Sequence, residues 1–131
     1  MQPRFDLLIP DINGLLRGLS APIDDAEGLL TREVPWSSSL FASRFDGAVV
    51  EESGYGLSVG DPDFPLRAVA GSDAPVPWHV AGAGGGGRQA IYRMFRPSGE
   101  PFELDPQQAL QAVLARLQQE GLSAILATEF E

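Results

Sequence analysis

The dipeptide Asn13-Gly14 stands between two apolar runs and fixes how this chain begins. Both residues accept φ > 0, the backbone that a tight turn between right-twisted strands requires. A reversal there pairs Phe5-Asp6-Leu7-Leu8-Ile9 with a return strand Leu15-Leu16-Arg17, ended by Gly18. Arg17 is a cation on an otherwise apolar strand.

Ala21 to Val34 then carries Ile23, Ala26, Leu29 and Leu30 at helical spacing, behind Pro22 and the acids Asp24, Asp25 and Glu27. Proline in a first turn and acids near the N-terminus both favour a helix. Leu40–Phe45 and Ala48–Glu51 read as strands around a second turn, Asp46-Gly47. Glu52 to Asp63 has three glycines, a proline and several acids without periodicity, so it reads as a loop. Pro65–Ala70 and Arg88–Phe95 read as further strands. Asp105-Pro106 opens a helix with Asp105 as N-cap and Pro106 at N1, an apolar stripe of Leu110, Val113, Leu114 and Leu117, and Gly121 as its stop. Leu122 to Glu131 reads as a closing strand. Hairpin, helix, several strands, helix and strand is an α+β pattern with a mixed or antiparallel sheet, the order that a β-grasp requires.

Composition narrows the chemistry. The 131 residues suffice for one domain with a real core, and the net charge is −9. That charge speaks against nucleic acid or an acidic membrane as partner. All nine basic residues are arginine, which excludes lysine chemistry within the chain. Cysteine is absent, removing disulfides, thiolate metal sites and thiol nucleophiles, and agreeing with a reducing compartment. No basic-flanked apolar leader and no run of about 20 apolar residues occurs. A cytoplasmic protein is the expectation.

Two stretches could carry function. The Glu52–Asp63 loop combines acids with Tyr55, and loops of that kind hold binding residues or are solvated connections. At the chain end, Glu129 and Glu131 are two residues apart, so on a strand both carboxylates face one side. Such a pair repels unless a hard cation lies between, or it is a solvated tail. His79, the single histidine, has no nucleophile or orienting acid in a local signature. The glycine-rich run 82–87 is followed by Arg88-Gln89 where a phosphate loop needs Gly-Lys-Ser/Thr, and reads as a flexible hairpin loop.

Several stretches together resemble the N-terminal part of the glutamine synthetase family. Asp11-Ile12-Asn13-Gly14-Leu15-Leu16-Arg17-Gly18 resembles its "D-x-N-G-x-x-R-G-K" hairpin. Gly60-Asp61-Pro62-Asp63 and Pro77-Trp78 resemble its middle section. Gly99-Glu100-Pro101-Phe102 with Asp105-Pro106 resembles "G-x-P-F-x-x-D-P-R", and Glu129-Phe130-Glu131 resembles the "E-x-E-F" metal strand. The Ser53-Gly54-Tyr55-Gly56 … Gly60-Asp61-Pro62-Asp63 form is more similar to the glutamate–polyamine ligases, such as γ-glutamylputrescine synthetase, than to ammonia-using members with "D-G-S-S". Leu19 departs from a lysine and Gln107 from an arginine of those patterns.

The resemblance implies a β-grasp domain over residues 1–96. It implies that residues 97–131 form the first helix and strand of a catalytic domain whose remainder is not in this chain. It implies a reaction: ATP phosphorylates the side-chain carboxylate of glutamate, and an amine or ammonia displaces phosphate. It also implies Mg²⁺ or Mn²⁺ with Glu129 and Glu131 as two of the ligands. A homo-oligomeric ring follows, in which Asp46, Glu52 or Asp61 meets the amine in a neighbouring subunit's site. The 131-residue chain alone is then expected to be inactive. The alternatives are a glutamine synthetase proper using ammonia, and a non-catalytic β-grasp binding or assembly module.

Overall fold

A computed structural model describes residues 2–76 and 86–129. The first hairpin joins β1 (Arg4–Pro10) to β2 (Leu16–Pro22), with Arg4 opposite Pro22 and Pro10 opposite Leu16. Helix α1 (Ala26–Thr31) and β3 (Val34–Ser37) follow. After a long connection come β4 (Asp63–Ala68), the two-residue β5 (Ala74–Pro75) and β6 (Arg88–Met94). Helix α2 (Pro106–Gln119) comes last. The sheet order is β2-β1-β6-β4-β3, with β5 also on β6. Only β1 and β6 run parallel among the described strands; the other pairs are antiparallel. A hairpin, a crossing helix and a central parallel pair of first and last long strands make the expected α+β mixed sheet of β-grasp type.

Alternation along the strands builds the core. Phe5, Leu7 and Ile9 of β1, Phe64 and Leu66 of β4, and Ala90, Tyr92 and Met94 of β6 point to one face and are buried there. Ala26 and Leu29 of α1 cover that face, and Phe41 and Phe102 close it. Phe102 lies at the centre of an aromatic group, with ring centroids 5.9 Å from Phe41, 5.1 Å from Phe64 and 5.0 Å from Tyr55.

Several expected elements differ in extent. β2 does not end at Gly18 but runs on to Pro22, with Gly18 opposite Leu8. A Cβ at Gly18 would lie 1.7 Å from the Leu7 carbonyl oxygen, so glycine here permits close strand approach rather than stopping the strand. The helix expected over 21–34 shrinks to Ala26–Thr31 behind a 3₁₀ turn at Ile23–Asp25, because Ala21 and Pro22 pair with Phe5 and Arg4 of β1 at one end and Val34 pairs with Leu66 of β4 at the other. The second hairpin keeps its Asp46-Gly47 turn, with Arg44 N–H donating to the Ala48 carbonyl at 2.8 Å. Its strands reduce to one bridge, Ser43–Val49, since Ser38–Ala42 coils into a 3₁₀ turn.

Helix α2 matches its sequence signals. Asp105 caps it by accepting from Gln107 N–H at 2.9 Å, and Gly121 (φ 74°) ends it. Leu122 N–H donates to the Leu117 carbonyl and Gly121 N–H to Gln118, the paired bonds of a Schellman stop. No residue of α2 is buried. The strand expected from Leu122 onward does not form over 122–129: these residues are exposed and pair with nothing described. A strand needs a neighbour to take its backbone groups, and no described strand pairs with these residues. No helix among the described residues is long and apolar enough to cross a membrane.

Candidate functional site

The hairpin tip is built on Asp11. Its carboxylate is fully buried and accepts from Asn13 N–H at 2.9 Å and Leu15 N–H at 2.8 Å, while its other oxygen takes Arg17 Nε at 3.0 Å. Burial pushes this carboxyl up, but the Leu15 N–H, Arg17 and Asn13 N–H outweigh it and hold it below its ordinary value. Arg17, the unexplained cation of the sequence, is therefore the counter-charge of the turn. Asn13 serves more than its turn: its Nδ2 donates to the Ser43 carbonyl at 3.0 Å and fastens the tip to the segment bearing Asp46.

The three acids proposed for amine contact have different surroundings. Asp46 pairs with Arg44 at 2.8 Å and accepts from Ala48 N–H, stabilising its own turn. Asp61 sits at φ 45°, a backbone uncommon for a non-glycine residue, and its carboxylate takes the Ser37 hydroxyl. That bond, with help from Ser39 and against burial, holds its carboxyl below the ordinary range. Ser37 in turn bonds Ser39 at 2.7 Å, so Asp61 tacks the loop onto the end of β3. Glu52 is exposed and makes no hydrogen bond or ion pair among the described residues. Of the three, Glu52 alone is uncommitted.

The loop itself is ordered by a residue that sequence reasoning passed over. Glu51 accepts from Leu57 N–H at 3.2 Å and Ser58 N–H at 3.0 Å, curling 51–58 around its own carboxylate. The Ser58 bond leads the downward shift of its carboxyl. The only sequence signal was proximity, an acid just before a Gly-x-Gly turn. Tyr55 leaves the loop to lie edge-on against Phe64 and Phe102, and its hydroxyl donates to Glu103 at 2.7 Å. Arg96 joins them, donating to Tyr55 Oη at 3.0 Å and pairing with Glu103.

At the other end of the chain, Glu129 is exposed, and Glu131 lies outside the described residues, as do His79 and residues 82–85 of the glycine run. No three acids or histidines among the described residues gather where they could hold a metal ion. The chain's described side chains therefore do not fit a complete divalent-cation site.

Comparison with known proteins decides the relationship. No family model matches the chain. The γ-glutamylputrescine synthetase PuuA of Escherichia coli K12 is 32% identical over 126 residues, 96% of this chain and 26% of that protein. The glutamine synthetase of Thermococcus kodakarensis is 32% identical over 131 residues, 99% of this chain and 25% of that protein. Over nearly its whole length the chain is similar to proteins of the glutamine synthetase family. It spans about a quarter of the length of the curated relatives it matches. Solved structures agree in fold. A novel glutamine synthase homolog aligns with TM-score 0.76 over 92% of this chain and 28% of its own, at 19% identity. GmaS in complex with ADP gives 0.64 over 91% of this chain and 24% of its own, also at 19%.

Against the family's hairpin pattern, the Asp11–Arg17 pair keeps the acid and the arginine and gives both a structural task. Gln107, where the family's "D-P-R" pattern has arginine, donates Nε2 to the Tyr92 carbonyl at 2.7 Å, so this departure still anchors α2 to the sheet.

Proposed function

We propose that this chain is the N-terminal part of an ATP-dependent glutamate–amine ligase. On this reading γ-glutamyl phosphate forms first, and an amine or ammonia then displaces phosphate to leave an amide. The single observation that carries it is the match of nearly the whole chain to γ-glutamylputrescine synthetase and glutamine synthetases alike. A cytoplasmic homo-oligomer belongs to the same reading. So does a division into a β-grasp domain over 1–96 and the opening of a catalytic domain over 97–131. Phe102 and Asp105 of the second stretch are buried, and Asp105 accepts from Met94 N–H of the first, so the two stretches are joined through side chains as well as through the chain.

Within the reading, the chain's own contribution is a stiff acidic loop. Glu51 and Asp61 spend their charge holding it, and Asp46 holds the adjoining turn, which leaves Glu52 to meet a cationic amine or accept its proton. Glu129 and Glu131 are assigned to the divalent ions that phosphoryl transfer requires. The described residues do not complete that site.

The test is an amine panel with ATP and L-glutamate, measuring phosphate release. The 131-residue chain alone is expected to release none above blank; release that requires both substrates would defeat that. In a full-length ligase carrying this segment, Glu52→Gln is expected to raise KM for the amine about tenfold while KM for glutamate stays put. An unchanged amine KM would remove Glu52 from the site.

A further inference from the structure

Arg67 of β4 and Arg93 of β6 are direct cross-strand partners, one register step from the buried pair Leu66 and Met94. Alternation therefore sets both arginines, with Phe95, on the sheet face turned away from α1. Like charges placed opposite each other in an antiparallel pair repel. A chain with only nine basic residues and a net charge of −9 has set two of them face to face.

Their charges are not equally answered. Arg67 bonds Glu33 through Nε at 2.8 Å and Nη2 at 2.7 Å, and its guanidinium lies 4.4 Å from the Phe95 ring centroid. Arg93 makes no ion pair or side-chain hydrogen bond among the described residues, and its Nε is buried without a partner. A carboxylate near it is that of Asp105. Both Asp105 oxygens are already taken, by Met94 N–H at 2.8 Å and Gln107 N–H at 2.9 Å. Arg67, Ala68, Val69, Ala70, Arg93 and Phe95 line a groove of about 380 Å³. That volume falls in the range of about 300–1,000 Å³ typical of small-molecule sites.

We propose that this groove binds a small oxyanion, a phosphate or a carboxylate, between the guanidinium groups of Arg67 and Arg93. The ligand supplies the negative charge that the pair lacks. Guanidinium forks match both oxyanions in geometry. Glu33 and Phe95 hold Arg67 in place beforehand, so little side-chain freedom is lost on binding. The proposal stands apart from the ligase reading, because it concerns the opposite face from the core and needs no second substrate.

Inorganic phosphate and, separately, succinate are titrated into the 131-residue chain while backbone amide shifts are followed by NMR. Saturable shifts centred on residues 67–70 and 93–95 are expected with at least one anion, and the arm that saturates at lower concentration names the oxyanion. Arg93→Gln is expected to weaken binding about tenfold or more, as loss of a charged fork implies. Should that variant not fold, Arg93→Lys makes the same test, keeping the charge and losing the fork. Arg116→Gln, on α2 and outside the groove, leaves binding unchanged. Absence of saturable shifts in β4 and β6 with both anions overturns the proposal. Equal weakening by Arg116→Gln overturns it too, because attraction would then be diffuse.

Discussion

The two helices of this molecule exist for opposite reasons. α1 is six residues long, contains Gly28, and has no side-chain cap at its start. On local grounds it should not persist, since isolated helices shorter than about 12 residues are marginal in water. It persists because Ala26 and Leu29 are buried against the sheet. α2 is 14 residues long, with a bonded N-cap, proline at N1 and a Schellman stop, and none of its residues is fully buried. Its apolar stripe is open, with Val113 54% exposed, and the following Ile125 is 95% exposed. Packing makes the first helix and local chemistry makes the second. Mutations should separate the two sources.

The largest effect is expected from Leu29→Ala, about 3 kcal/mol of global stability by urea unfolding, as for other buried leucines. Next comes Asp105→Ala, at about 2 kcal/mol. It removes a cap worth about 1 kcal/mol and leaves the buried Met94 N–H unbonded, so helix content and sheet stability should fall together. If only helix content falls, α2 is less tied to the sheet than its bonds indicate.

Asp11→Asn follows, at up to about 2 kcal/mol near neutral pH, through loss of a charged partner for Arg17. Its pH dependence has a definite sign. The folded Asp11 carboxyl lies below its ordinary value of 3.8, so its contribution is full above that value and is lost as pH falls through the folded value. Asp61 acts in the same direction. Asp105 acts oppositely, because burial raises its carboxyl and ionising it costs stability that acid relieves. Asp11→Asn should therefore flatten the acid limb of stability against pH below about 4. An unchanged acid limb would show that the turn does not depend on this charge. The smallest effect is expected for Val113→Ala, within about 0.5 kcal/mol in this chain. A loss comparable with Leu29→Ala would mean that something covers the α2 stripe in solution, and the contrast between the helices would collapse.

The same distinction explains what could be read from the residues alone. The Asp46-Gly47 turn and both ends of α2 are local codes that the structure keeps; the first hairpin also reverses at Asn13-Gly14, but only Gly14 takes positive φ, Gly14 N–H bonds the Asp11 carbonyl, and the return strand starts at Leu16 rather than Leu15. The helix over 21–34 failed at its far end because Val34–Ser37 found a strand partner thirty residues away, which periodicity does not encode. The strand after Leu122 failed for the converse reason, having apolar residues but no neighbour. At the candidate site, the acids were legible as a set but not as individuals. Nothing in the spacing said that Glu51 would bind two backbone N–H groups, that Asp61 would hold Ser37, or that Glu52 would stay free.

One consequence remains in the root of α2. Asp105 accepts from Met94 N–H, Gln107 donates to the Tyr92 carbonyl, and Gln108 donates to the Met94 carbonyl at 3.1 Å. All three fasten the first turn to the end of β6. A helix of 14 residues is about 21 Å long at about 1.5 Å per residue, so a tilt of about 10° at its base would swing its tip by about 4 Å. The helix is thus a pointer whose aim is set at its base, and whatever its far end must reach, the accuracy is decided by three side chains beside Tyr92 and Met94.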